Sequence, residues 1–321
     1  MFIINKTNFS YNFIFILFVL LTAIVFITGC GSPDVSEKKQ GNKVVDTDFS
    51  RTVIDVAGNE INIESKPIRI VSVIPSVTEI LYDLGLEDKI VGVTENCDYP
   101  KIASKKKKVG DWNINLEKLI SLEPDLVVGK HTTNEVLLNE ISNLGINTLM
   151  IEAQNFEEIY KSFEIIAMAT GTEDKAQDII TDMKTRIEAV EKKVITLGDK
   201  ERKRVFFEVG WEPLYTVGLG SLQHEILDLA GGINVVDANK AWVKYSNEKL
   251  IEIDPDVIIM GTHPYYTAED AKNRTGWSQL TAVKKDQVID TIDTNILVRP
   301  TYRAVEGLEE VAKSLYPDLF N

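Results

Sequence analysis

The sequence predicts an α/β protein of two Rossmann-like parallel-sheet lobes joined by one long α-helix, with an N-terminal β-hairpin in front of them. Three observations predict it. First, short apolar runs alternate with amphipathic stretches of helical period through both halves, the pattern of a parallel sheet covered on both faces. Second, Glu117-Lys118-Leu119-Ile120 followed by Glu123-Pro124-Asp125-Leu126-Val127-Val128 is echoed 131 residues later by Glu248-Lys249-Leu250-Ile251 and Asp254-Pro255-Asp256-Val257-Ile258-Ile259. Third, Thr172 to Leu197 carries Ala176, Ile179, Ile180, Met183, Ile187, Val190 and Val194 at spacings of three and four, one narrow apolar stripe. Such a helix rises on the order of 36 Å at about 1.5 Å per residue, enough to bridge two lobes.

Taken in order, the chain opens with Lys6 and an apolar run from Phe13 to Ile27 broken by Thr22. That run is short of the roughly 20 residues a membrane span needs. It ends in Ile27-Thr28-Gly29-Cys30, which resembles the lipobox of bacterial lipoproteins. Residues 1–29 are therefore expected to be a lipoprotein signal peptide and Cys30 the lipidated residue. Residues 30–50 are polar, without apolar period, and are expected to be a flexible tether. Alternation from Arg51 to Ile63 around Ala57-Gly58-Asn59 predicts the hairpin. Strands are expected at Ile68–Ile74, Lys89–Val93, Leu126–Val128 and Thr148–Ile151. Helices are expected at Ser76–Leu84, Leu116–Ser121, Glu135–Leu144 and Phe156–Ala169, and Ser76 three residues before Glu79 has the capping-box spacing. After the long helix come strands at Val205–Val209, Val257–Met260 and Gln287–Ile289, with helices at His224–Ala230 and Val305–Ser314. The N-terminal lobe spans 51–171, the bridging helix 172–198 and the C-terminal lobe 199–321.

Without residues 1–29, which carry only Lys6, the balance is 34 basic against 49 acidic residues. That argues against nucleic acid or an anionic lipid surface as the main partner. Lys105 to Lys108 is the one basic cluster, and a solvated loop accounts for it. Of the two cysteines, Cys97 has no partner if Cys30 is acylated, so the fold must rest on its core rather than on disulfides.

In open parallel sheets ligands sit beyond the carboxyl ends of the strands. The residues there are Pro75 and Ser76, Asn96 to Tyr99, Asp111 and Trp112, and Lys130 and His131. Their second-half counterparts are Gly210 and Trp211, then His263, Tyr265 and Tyr266, then Asn295 and Arg299. All four tryptophans are expected in loops, with Trp112, Trp211 and Trp242 facing the space between the lobes. Aromatic faces beside a few polar groups suit a large, flat or partly apolar organic ligand. Catalytic signatures are missing: there is no Gly-x-Ser-x-Gly, His-Glu-x-x-His, Cys-x-x-Cys or Gly-rich phosphate loop. His131 and His263, one per half, could ligate a metal with an Asp, but they form no local metal motif, and no resident metal or cofactor is expected.

Several motifs carry a resemblance. They include Ile74-Pro75-Ser76-Val77-Thr78-Glu79-Ile80, Asp98-Tyr99-Pro100, Val109-Gly110-Asp111-Trp112 with Asn115-Leu116-Glu117-Lys118, Pro213-Leu214-Tyr215-Thr216-Val217-Gly218 and Leu229-Ala230-Gly231-Gly232-Ile233-Asn234. With Trp242 they make residues 50 to 321 similar to the helical-backbone (class III) substrate-binding proteins of ABC importers, closest to the cobalamin-binding branch. The resemblance implies two lobes on a single long helix and little movement on binding. It implies a non-enzymatic monomer, lipid-anchored on the outer face of the cytoplasmic membrane, that delivers a corrinoid to an ABC permease and its ATPase subunits. Trp112 and Trp242 match positions that contact the corrin, while Asn96 and Lys130 stand where the relative has aromatics. Asn295 and Arg299 match an Asp/Arg pair. One surface glutamate per lobe would dock on permease arginines, Glu79 in the first lobe and Glu248 in the second, with Glu225 a rival to Glu248. Haem would favour the two histidines. A ferric siderophore would favour a basic pocket made from Lys130, Lys244, Arg299 and Arg303. A lipid-anchored hydrolase and a purely structural surface protein are the readings from other classes.

Overall fold

The structure, a computed structural model, describes residues 49–261 and 265–320. The expected signal peptide, Cys30, residues 30–48 of the tether, and His263 lie outside the described residues. The described residues all belong to one compact unit.

Strands β1 (Arg51–Ile54) and β2 (Glu60–Ile63) pair antiparallel as the hairpin. Asp55 shapes the turn, its carboxylate accepting from the backbone N–H of Ala57 at 3.0 Å and of Asn59 at 2.9 Å. The same carboxylate accepts from Met150 N–H at 3.2 Å, which ties the hairpin to the sheet behind it.

That sheet contains β3 (Ile70–Ser72), β4 (Ile90–Val93), β5 (Lys107–Lys108), β6 (Leu126–Lys130) and β7 (Asn147–Ile151), in the order β5-β4-β3-β6-β7 and all parallel. The chain steps outward from β3 to β5 and then crosses to β6 on the far side of β3. A crevice therefore opens between the ends of β3 and β6, the place where such sheets take ligands. The lysine run is not wholly a loop: Lys107 and Lys108 form an edge strand, and Lys108 Nζ donates to Thr94 O at 2.9 Å.

Helices α1 (Pro75–Asp83), α2 (Leu116–Ile120), α3 (His131–Asn143) and α4 (Phe156–Thr170) cover this sheet. Helix α1 starts at Pro75, whose fixed φ and missing N–H suit a first helical position. The cap position is thus Ile74, no side chain caps it, and Ser76 and Glu79 do not form the expected box. Gly171 ends α4 in a left-handed conformation (φ +66°).

Helix α5 (Glu173–Val194) follows, 22 residues long, with its apolar stripe buried. The second lobe carries β8 (Arg204–Gly210), β9 (Tyr215–Val217), β10 (Ile233–Asn234), β11 (Trp242–Lys244), β12 (Val257–Met260) and β13 (Val288–Ile289). Strands β10, β8, β12 and β13 run parallel, as expected, and an antiparallel edge of β9 and β11 extends them. Trp242 therefore lies in an edge strand rather than a loop, and Trp277 in a short 3-10 turn. Helices α6 (Leu222–Leu229), α7 (Asn247–Ile253), α8 (Ala268–Lys272), α9 (Thr281–Lys284), α10 (Thr294–Val298) and α11 (Ala304–Leu315) complete the lobe.

The sequence echo has a physical basis. In the first lobe Asp125 accepts from Ile68 and Arg69 N–H, and the Arg69 side chain donates back to Leu122 and Glu123 carbonyls. In the second, Asp256 accepts from Arg204 N–H, and the Arg204 side chain donates to Ile253 and Asp254 carbonyls. Each Pro-Asp turn thus clamps a helix end to the start of the neighbouring strand.

The largest apolar cluster runs through both lobes, from Phe49 and the hairpin through α1, α4, α5 and α6 to α11. Phe49, which composition assigns to the tether, is buried in it because its ring fills the space beside Gly171. The lobes share a core rather than hanging from a helix alone. Opening them widely would expose apolar surface at about 25 cal/mol per Å².

Candidate functional site

A cavity of about 930 Å³ opens between the lobes. One wall comes from the ends of β3, β4 and β6, with Pro75, Ser76, Asn96 and Lys130, and the other from residues 291–295 and 298–300 after β13. Trp112 and Tyr265 lie on opposite walls and are 77% and 87% exposed, so two aromatic faces stand open to a ligand. A tight turn presents Trp112. Asp111 accepts from Asn113 N–H at 2.9 Å, and Gly110 (φ +131°) leaves no room for a Cβ, which would sit 2.3 Å from Asn113 O.

Charges cross the cavity floor from lobe to lobe. Arg299 Nη1 donates to Glu79 Oε1 at 2.8 Å and to Asp98 Oδ1 at 2.7 Å, and Thr301 Oγ1 donates to Glu79 Oε2 at 3.0 Å. Arg303 completes the group, bonding Asp293 at 2.9 Å while its guanidinium lies 3.8 Å from the centre of the Tyr99 ring. Burial pushes the Glu79 carboxyl above its ordinary range, against the pull of the Arg299 hydrogen bond. For Asp98 the upward push of burial is outweighed by the hydrogen bond and charge of Arg299, which hold it below that range.

Glu79 therefore cannot serve as the first-lobe surface carboxylate: it is 1% exposed, and both its oxygens are bonded inside the protein. Glu225 is also occupied, accepting from Phe156 N–H at 2.7 Å at the lobe junction. Glu248 stands exposed in the first turn of α7, capped by Ser246, and its counterpart in the echo is Glu117, exposed in the first turn of α2 and capped by Asn115.

Lys130 lines the cavity but is paired with Glu152 at 2.9 Å. Burial pushes Glu152 upward, and hydrogen bonds from Lys130 and Thr132 outweigh it and hold its carboxyl low. His131 is the first residue of α3 and does not line the cavity, and its Nδ1 is buried without a hydrogen-bond partner among the described residues. No group of three or more His, Cys, Asp or Glu among the described residues is arranged to hold a metal ion. Cys97 is a free, buried thiol between the hydroxyls of Thr78 and Thr94.

Two tryptophans expected in the cleft are elsewhere. Trp211 packs edge-on against buried Trp277, ring centroids 5.6 Å apart, and carries the Arg274 guanidinium 3.9 Å from its ring. Arg274 is itself bonded to buried Glu208, so Trp211 shields an ion pair instead of facing a ligand. Trp242 is 53% exposed on the sheet edge, outside the cavity lining. The basic pocket does not assemble either. Of Lys130, Lys244, Arg299 and Arg303, only Lys130 and Arg299 line the cavity, and both are ion-paired. Asn96 and Asn295 do line it, while Tyr99 and Asp111, both exposed, are not part of the lining: Tyr99 lies against the Arg303 guanidinium and Asp111 shapes the turn that presents Trp112. Sequence reasoning missed Thr301 and Asp293, which no local motif marks.

Residues 70–293 match the family of periplasmic binding proteins. The chain is 39% identical over 306 residues, covering 94% of it and 96% of the relative, to an uncharacterised ABC transporter substrate-binding lipoprotein, YvrC, of Bacillus subtilis. It is 32% identical over 195 residues to the vitamin B12-binding protein of Salmonella paratyphi A, covering 60% of this chain and 71% of that one. A solved structure described as a possible iron-binding (periplasmic solute-binding) protein from Staphylococcus epidermidis superposes with a TM-score of 0.69 at 31% identity, covering 78% of this chain and all of that one. Two sheets around a crevice, a shared helical spine and a roomy cleft agree with those matches, and this chain belongs to the periplasmic binding protein family, as a substrate-binding protein of ABC-transporter type and not an enzyme.

Proposed function

We propose that the protein binds a corrinoid between its lobes and delivers it to a membrane ABC permease. The observation that carries this is the combination of open aromatic faces with cancelled charge. Trp112 and Tyr265 offer flat apolar surface, while the two cations of the lining, Lys130 and Arg299, are each paired with carboxylates. A cavity of about 930 Å³ lies at the upper end of the roughly 300–1,000 Å³ usual for small-molecule sites. An uncharged macrocycle edged with amides suits such a lining, since its carbonyls can accept from Arg299 and its amide N–H groups can donate to Asn96, Asn295 and Asp98. The vitamin B12-binding relative supports the same reading. The corrinoid is cargo, and the protein needs no resident cofactor.

The protein works as a lipid-anchored extracytoplasmic monomer, held through Cys30 in agreement with its lipoprotein relative. Glu117 and Glu248, exposed at equivalent points of the two lobes, are the pair suited to orient it on a basic permease rim. An iron chelate is the second reading, favoured by the Staphylococcus epidermidis structure. Titrating a soluble chain that begins at Gly31, and so keeps the whole compact unit, with cyanocobalamin tests the proposal. Saturable quenching of tryptophan fluorescence at micromolar ligand or below, weakened by Trp112→Ala, is expected. No response to cyanocobalamin together with saturable binding of a ferric siderophore would replace the corrinoid by the iron chelate.

A further inference from the structure

The bond pattern on the cleft floor is lopsided. Glu79 comes from α1 in the first lobe, is 1% exposed, and spends one oxygen on Arg299 and the other on Thr301, both from the second lobe. Arg299 answers both Glu79 and Asp98 through Nη1 alone; its Nη2 and Nε make no hydrogen bond among the described residues, although the residue lines the cavity. A guanidinium forked onto one carboxylate would use two nitrogens. Here one nitrogen is pinned and the others are left over. Holding a carboxylate at nearly full burial is expensive, and two apolar residues would join the lobes at least as firmly. The stability of the junction therefore does not explain Glu79.

We propose that Glu79 is a positioning residue for ligand binding: with Thr301 it pins Arg299 by one nitrogen and, together with Asp98, cancels its charge, so that the remaining N–H groups serve uncharged carbonyl acceptors in preference to carboxylates. This rests on the reading that the ligand occupies the cleft between the lobes. Glu79 and Asp98 both face the Arg299 guanidinium, Glu79 also lies 3.7 Å from Arg303, and Arg303 is balanced further by Asp293 and Glu306, so carboxylates outnumber guanidiniums here. The floor presents donors without a net positive field. A ligand bearing carboxylates would meet Asp98 and the exposed Glu95 and Asp293 of the lining, while the two cations of the lining, Lys130 and Arg299, are already paired. An amide of the same shape keeps the hydrogen bond and avoids that repulsion.

The test uses Glu79→Gln, which keeps the shape and one acceptor, in the chain from Gly31. Affinities are measured for cyanocobalamin and for a cobalamin monocarboxylate, in which one side-chain amide has been hydrolysed. The unaltered chain should prefer the amide, and Glu79→Gln should narrow that preference about five- to tenfold at low salt, because with only Asp98 left on the Arg299 guanidinium the floor repels a ligand carboxylate less. Thr301→Val, which frees the carboxylate without removing its charge, should lower both affinities and leave the ratio unchanged. If Glu79→Gln also lowers both equally, its role is structural and the proposal falls. A second measurement works without any corrinoid. Iodide and acrylamide quenching of Trp112 fluorescence is taken as the difference from a Trp112→Phe chain. Glu79→Gln should raise the iodide quenching alone, and only at low ionic strength. If cyanocobalamin does not bind, the ligand reading fails, and the iodide result still decides the proposal: raised quenching upholds it, unchanged quenching overturns it.

Discussion

Replacing Asp83 by asparagine should stabilise the protein at alkaline pH and leave it unchanged in acid. Asp83 is the last residue of α1, at a cavity of about 300 Å³ on the back of the lobe junction with Lys175, Asp178, Asp182 and Tyr302, and its Oδ2 is buried with no hydrogen-bond partner among the described residues. Burial, then the charges of Glu79 and Glu306, raise its carboxyl to about 7, against Arg303 and Lys175. In the unfolded chain it titrates near ~3.9. Between those values the native state holds a proton that the unfolded state has released, so stability falls as pH rises, by about 1.4 kcal/mol per unit. Over the roughly three units of the window the loss reaches at most about 4 kcal/mol. Asparagine cannot ionise, so the variant escapes that loss. Urea unfolding followed by tryptophan fluorescence at pH 4, 6 and 8 reads the difference. At pH 8 the midpoint of Asp83→Asn should lie about 1–2 M higher, for slopes of about 2–3 kcal/mol per M, and at pH 4 the two curves should nearly coincide. An offset equal at both pH values would refute the reasoning, because it would then have nothing to do with the proton.

Trp211→Ala should destabilise by about 3 kcal/mol, since it uncovers the buried Arg274–Glu208 pair, whereas Trp112→Ala, 77% exposed, should cost little stability and weaken ligand binding. Chemical denaturation and ligand titration of both variants separate the two effects. Gly129→Ala places a Cβ 2.6 Å from Val73 and 3.1 Å from Asn134, whose Oδ1 accepts from Lys130 N–H. A stability loss of about 1–3 kcal/mol, measured by thermal unfolding, should accompany weaker ligand binding. Glu117→Ala and Glu248→Ala should each slow association with the reconstituted permease, more so at low salt, with unchanged ligand affinity in a parallel titration.

How far the sequence could be read follows from the range of the forces involved. The hairpin, the long strands, α4 and α5 declare themselves through periodicity within ten or twenty residues, and the Pro-Asp echo reports a clamp built twice. The two- and three-residue strands β5, β9, β10 and β11 are too short to show a period, so Trp242 read as a loop residue. Ser76 and Glu79 had the right spacing for a capping box, but Pro75 took the first helical position and moved the cap to Ile74. Trp211 followed a strand as a ligand contact should, yet Arg274, 63 residues away in sequence, claimed its face.

The sequence by itself determined the α/β class, the internal repeat, the spanning helix and the family, because each is written in local pattern or in contiguous motifs. Only the tertiary structure decided which residues meet in the cleft. Glu79 became a buried partner of Arg299, 220 residues distant, and the cations of the lining were neutralised by carboxylates from elsewhere. Charge, burial and hydrogen-bond geometry act through space, and a linear chain does not record which of its distant side chains will share one low-dielectric site.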